Sequence, residues 1–145
     1  MAVRPIPEGY HTVTPYLVVE GASRLIEFMR EAFGAVERSR FGDGDRITHG
    51  EVQIGDSIIM LSDGQPAQPQ FPAMIHLYVD DCDAVYRRAL AAGATSLREP
   101  ADQFYGDRSA GVSDAFGNQW WIATHAEDVS DEEMHRRMAA ASTGA

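Results

Sequence analysis

The chain has 145 residues, 22 Asp and Glu against 12 Lys and Arg, and a formal net charge of −10. That acidity argues against nucleic acid and against an anionic membrane, both of which call for a basic surface; it suits a cationic ligand and equally an ordinary acidic protein of the cytoplasm. One cysteine, Cys82, excludes an intrachain disulfide, no apolar run approaches the ~18 residues of a membrane span, and residues 1–7 lack a signal-peptide apolar region, so a cytoplasmic location is expected.

In chain order, residues 1–11 are polar and Pro-rich and form an arm. Residues 12–19 are β-branched and aromatic and predict a strand, with Pro15 confining it to an edge or a strand start. Leu25, Ile26, Met29, Ala32 and Phe33 recur at helical spacing over 22–33, and Gly34 supplies a stop. Strands over 35–41, 46–54 and 57–62 follow, separated by turns at Gly42-Asp43-Gly44-Asp45 and at Gly55-Asp56. Three prolines mark residues 63–72 as a linker. The pattern then repeats: a strand over 73–79, a helix capped by Asp81 and ended by Gly93, and strands over 95–98, 107–113 and 119–124. Cys82 sits at that helix start, where a thiol pKa can fall; the plainer reading is a small buried apolar residue. Residues 126–145 form a C-terminal helix and tail, opened by the capping-box pair Ser130 and Glu133.

The two halves resemble each other. Gly44-Asp45-Arg46 recurs as Gly106-Asp107-Arg108 at an offset of 62, Gly55 matches Gly117, and Tyr16–Gly21 matches His76–Asp81 at an offset of 60. The chain is therefore an α+β protein of two tandem βαβββ modules, 12–62 and 73–125, each too small to be comfortable alone.

Paired modules of this kind resemble the vicinal oxygen chelate superfamily, also called the glyoxalase/bleomycin resistance/dioxygenase fold. The resemblance rests on Thr14–Val19, Phe28–Ala35, Ile54–Leu61, Val79–Asp83 and the turn Asp114-Ala115-Phe116-Gly117-Asn118. Phe104–Arg108 and the tail Thr124–Ser130 look most like its PhnB-like branch. It implies curved sheets enclosing a cleft, a pairing of modules within or across chains in a homodimer, and, in enzymatic members, a divalent metal held by the first and last strands of each module.

Carried onto this chain, the four metal positions become Thr14, Ile59, Met74 and Trp121, a set that cannot hold a hard cation. A slip of two residues gives Tyr16, Leu61, His76 and Ala123, with only His76 competent. The expectation is a metal-independent protein, without cofactor, that binds a small cationic or aromatic molecule in an inter-module cleft, in the manner of bleomycin-resistance-type binders. Its candidate ligand-binding residues are Tyr16, Met60, His76, Tyr78, Tyr105, Arg108 and Trp121. The rival is an enzyme, a glyoxalase-like lyase or isomerase or an extradiol-type dioxygenase, with a divalent metal on His49, Glu51 and His76. No Gly-X-Ser-X-Gly elbow or P-loop ending supports a third chemistry.

Overall fold

A computed structural model describes residues 2–143; Met1, Gly144 and Ala145, the end of the expected tail, lie outside the described residues. The first module runs β1 (Tyr16–Val19), α1 (Ala22–Phe33), β2 (Val36–Asp43), β3 (Arg46–Ile54) and β4 (Ser57–Asp63). The second runs β5 (Met74–Tyr78), α2 (Cys82–Ala91), β6 (Thr95–Asp102), β7 (Asp107–Ser113) and β8 (Gln119–His125), and α3 (Asp131–Thr143) follows. Each module folds into one mixed sheet, ordered β1-β4-β3-β2 and β5-β8-β7-β6, in which the outer strand β1 or β5 lies parallel to β4 or β8. This is the α+β architecture of two βαβββ modules with a C-terminal helix.

Local chemistry accounts for the element ends. Helix α1 begins at Gly21, which has no side chain to cap it, so Asp63 at the end of β4 does so: one carboxylate oxygen accepts from the Gly21 and Ala22 N–H groups at 2.8 and 3.0 Å. Its other oxygen accepts from Ile47 N–H at 2.7 Å, tying β3 to the same point. Burial of Asp63 works to raise its pKa, and these bonds outweigh it, holding the carboxyl below the ordinary range. The helix stops at Gly34, whose φ of 69° only glycine adopts without strain. In the second module Asp81 caps α2 by accepting from Ala84 N–H at 3.1 Å.

Each sheet covers one face with its own helix, and α1 and α2 pack on each other. One continuous core results, with Phe33 against Trp120 at 4.9 Å between ring centroids joining the modules. Trp120 is fully buried, and its indole N–H reaches Asp114 at 2.8 Å. Asp114 also accepts from Phe116 and Asn118, which fixes the 114–118 turn. The opposite faces of the two sheets, away from the helices, are left open. No helix among the described residues is long and apolar enough to cross a membrane.

Candidate functional site

Strand pairing places a transverse row of side chains across each open face. In the first sheet Tyr16 pairs with Met60, Met60 with Glu51, and Glu51 with Ser39. In the second, His76 pairs with Trp121, Trp121 with Gly111, and Gly111 with Arg98. The rows are equivalent, at an offset of 60 for the first strands (76 − 16) and the third strands (111 − 51), and 61 for the last (121 − 60). The offset changes because residues 114–118 connect Ser113 to Gln119 where residues 54–57 connect Gln53 to Ile58, one residue fewer. The offset of 62 read at the glycine turns therefore does not extend into β4. Ile59 is 3 % exposed in the core, and its neighbour Met60 is the counterpart of Trp121, since a slip of one residue changes the face.

On the first open face, hydrogen bonds link Tyr10, Glu51, His49 and Tyr16. The Tyr10 hydroxyl of the arm donates to Glu51, His49 Nε2 lies 2.9 Å from the same carboxylate, and the Tyr16 hydroxyl is 3.4 Å from His49 Nδ1. A His49 tautomer with its proton on Nε2 donates to Glu51 and accepts from Tyr16. The bonds from Tyr10 and His49 hold Glu51 below the usual carboxylate range. Burial, with the bond to Glu51, pushes the Tyr10 phenol up to about 12.

On the second open face, the Trp121 ring lies flat on β7. A Cβ built on Gly111 would come within 2.5–2.7 Å of three of its ring carbons, so only glycine leaves room there. The Arg98 guanidinium covers the ring at 4.9 Å from the centroid, and its Nη2 donates to Ser109 Oγ at 2.5 Å. Beside this stack, Tyr78 donates to buried Asp107 at 2.8 Å, and His76 lies against Tyr78 with ring centroids 5.0 Å apart. His125 bridges Asp107 and Asp128 at 2.8 and 2.7 Å, one carboxylate on each ring nitrogen, an arrangement that suits the imidazolium and raises its pKa. Asp107 is pushed up by burial and down by the bonds from His125 and Tyr78, and the bonds prevail.

The structure thus divides the expected site residues. Tyr16 and Met60 lie on one open face, His76, Tyr78 and Trp121 on the other. Tyr105 stacks edge-on against Phe104 in the turn before β7. Arg108 is elsewhere: next to Asp107 on β7 and pointing the opposite way, it faces the helical side, where Asp83 of α2 grips it at 2.6 and 3.0 Å and Asp102 at 3.1 Å. Between the modules, an open groove of about 1320 Å³ follows the outer edge of β5 and includes His76 and Tyr78 beside Phe33, Ile59 and Val85. Arg98, Asp107 and His125 escaped the sequence reading because it had no strand register to place them, and Tyr10 because it belongs to the arm that precedes the strands. Cys82 is buried and donates to the Ile122 carbonyl at 3.3 Å; burial pushes its thiol up, not down.

The two rows bring few oxygen or nitrogen donors together for a divalent metal. Met60 and Trp121 stand at the centre of the rows, and His49 and Glu51 are bonded to each other. No group of three or more His, Cys, Asp or Glu suited to a metal occurs among the described residues, so His49, Glu51 and His76 are not assembled.

The model of the Glyoxalase/Bleomycin resistance protein/Dioxygenase superfamily matches residues 10–122. Uncharacterized proteins of Mycobacterium bovis and Mycobacterium tuberculosis are 35 % identical over 144 residues, covering 91 % of this chain and 95 % and 85 % of theirs. Among solved structures, TioX from Micromonospora sp. ML1 superposes with a TM-score of 0.70 at 24 % identity, over 79 % of this chain and 98 % of that one. The fosfomycin resistance protein FosX from Mesorhizobium loti does so at 0.59 and 19 %, over 79 % and 91 %. At these identities the structural matches speak for the fold.

Proposed function

The chain belongs to the Glyoxalase/Bleomycin resistance protein/Dioxygenase superfamily, and from that premise we propose that it binds a small molecule on its open sheet faces without a resident metal. The observation that carries this reading is the pair of equivalent rows, with Met60 and Trp121 at their centres where nitrogen or oxygen donors would have to stand. Around them lie the polar and aromatic groups of a binding surface: Tyr16, Glu51 and His49 on one face, His76, Tyr78 and Arg98 on the other.

The cationic ligand expected from the net charge finds little support at Trp121, because Arg98 already covers the exposed side of that ring. The aromatic half of the expectation keeps its support in Tyr16 and Tyr78. A homodimer belongs to the same proposal. Met74 and Tyr78 on the outer strand β5 are 65 % and 66 % exposed, and a second copy is the occupant that would cover them and wall the open faces. A cytoplasmic location and a PhnB-like affiliation, resting on Phe104–Arg108 and 124–130, complete it.

Native mass spectrometry of the protein purified without chelator tests the proposal. The expected species is two chains with no metal, with or without an organic adduct that denaturation releases. A metal adduct that disappears in His76→Ala would overturn the metal-free reading, and a monomer at all concentrations would overturn the dimer.

A further inference from the structure

We infer that Arg98 anchors an oxyanion subsite on the open face of the second sheet, taking the carboxylate or phosphonate group of an otherwise planar organic ligand. The inference deepens, and rests on, the reading of that face as a ligand surface.

Four features converge on it. The guanidinium is held from two directions before any ligand arrives: the Trp121 ring lies beneath it, and Ser109, itself 2 % exposed, fixes Nη2. Restraint in advance lowers the entropy lost on binding. Ser109 takes one of the five guanidinium N–H donors, and no carboxylate pairs with Arg98 among the described residues, although the chain carries a net charge of −10. The contrast with Arg108 is direct, because two carboxylates take all three nitrogens of that guanidinium on the far side of the same sheet. Finally, the residue is exposed, and the planar fork of a guanidinium matches two oxygens of a carboxylate or a phosphonate.

Gly111 makes the arrangement possible. Any side chain there would lift the Trp121 ring into the space that the guanidinium occupies. His76 closes the other end of the row, on the far side of Trp121, and offers the organic part of the ligand an imidazole beside the Tyr78 ring. A ligand with an ammonium group would meet like charge at this position.

Titrations of ¹⁵N-labelled protein with benzoate, phenylphosphonate and neutral benzamide test the inference, followed at the Trp121 indole N–H, which is identified by its loss in Trp121→Phe. One or both oxyanions are expected to shift that resonance and to bind more tightly than benzamide. Whichever of the two binds more tightly identifies the group. Arg98→Gln is expected to weaken oxyanion binding by about 10-fold or more, the scale of a lost charge-assisted bond. Arg98→Lys keeps the charge without the fork and should restore only part of it. Arg136→Gln, a surface change on α3, should leave it intact.

Binding of both oxyanions no tighter than that of benzamide, an unchanged oxyanion affinity in Arg98→Gln, or no response to either oxyanion would each overturn the inference. So would an Arg98→Gln protein altered only in oligomeric state, which would assign Arg98 to a contact between copies. The metal-free reading fails separately. Stoichiometric metal alongside an Arg98-dependent preference for oxyanions would defeat that reading and leave the subsite standing.

Discussion

Substituting Gly111 by Ala perturbs the stack at its base. The new Cβ would sit 2.5 Å from Trp121 Cζ3 and 2.7 Å from Cε3 and Cη2, against an ordinary carbon–carbon separation of about 3.5–4.0 Å. The ring therefore has to move outward by about 1 Å. It is held by the Nε1–H bond to Gln119 at 3.1 Å and covered by Arg98. Overpacking of this kind costs about 1–3 kcal/mol, and loosening the cation–π contact adds about 0.5–1 kcal/mol. The smaller entropy of an unfolded chain with Ala in place of Gly returns about 0.4–1 kcal/mol. The expected net loss is centred on about 2 kcal/mol, or roughly 4–8 °C in Tm for a chain of this length. Thermal unfolding by circular dichroism measures it, and the Trp121 indole resonance reports the displaced ring. The decisive comparison uses Trp121→Ala as background: with the ring removed, Gly111→Ala should become neutral or slightly stabilising, a coupling of about 1–3 kcal/mol. An equal cost in both backgrounds would refute the argument that Gly111 is there to admit the ring.

Two further outcomes concern carboxylates. Asp63→Ala strands the N–H groups of Gly21, Ala22 and Ile47, and at about 1–3 kcal/mol for each buried donor left without an acceptor, as at Ala22 and Ile47, the total should reach at least ~2 kcal/mol by urea unfolding. Because the folded pKa of Asp63 lies below its unfolded value, its contribution is complete above about pH 4 and is lost as the pH falls through the folded pKa. Asp63→Asn should show a flatter stability profile across that acid window. His125 has the opposite sign. Its folded pKa is raised by Asp107 and Asp128, so its contribution is complete below about pH 6.5 and fades as the pH rises through the folded value. Titration of its ring protons by NMR should give a midpoint above that of a free histidine, and Asp107→Asn should lower it; an unchanged midpoint in the variant would show that the Asp107 bond does not set it.

Much of the fold was legible because local signals agreed with the tertiary structure. The apolar spacing over 22–33 and the Gly34 stop correspond to α1 (Ala22–Phe33), and the duplicated strings mark two modules with one topology. Where the reading fell short, a neighbouring chain segment decided. Strand β1 begins only at Tyr16, after Pro15, although the pattern starts at residue 12. Strand β6 reaches Asp102 past Pro100, because an outer strand with register shifts tolerates a residue without an N–H. Of the candidate site, the face was legible for some residues and the register was not. Trp121, Met60 and His76 do face away from the helices, but a turn longer by one residue moved the counterpart of Trp121 from Ile59 to Met60. Arg108 carried the repeated Gly-Asp-Arg signature and points to the helical side, while Arg98 had no local signature at all. Its place over Trp121 follows from the pairing of β6, β7 and β8, which one strand by itself does not reveal.

Elemental analysis of the protein purified without chelator tests most directly whether these open faces work without a resident metal. No divalent metal is expected in stoichiometric amount, and no gain on incubation with zinc, manganese or nickel followed by desalting. Stoichiometric metal that survives desalting in the unaltered protein and is lost in His76→Ala or Glu51→Gln would contradict that expectation.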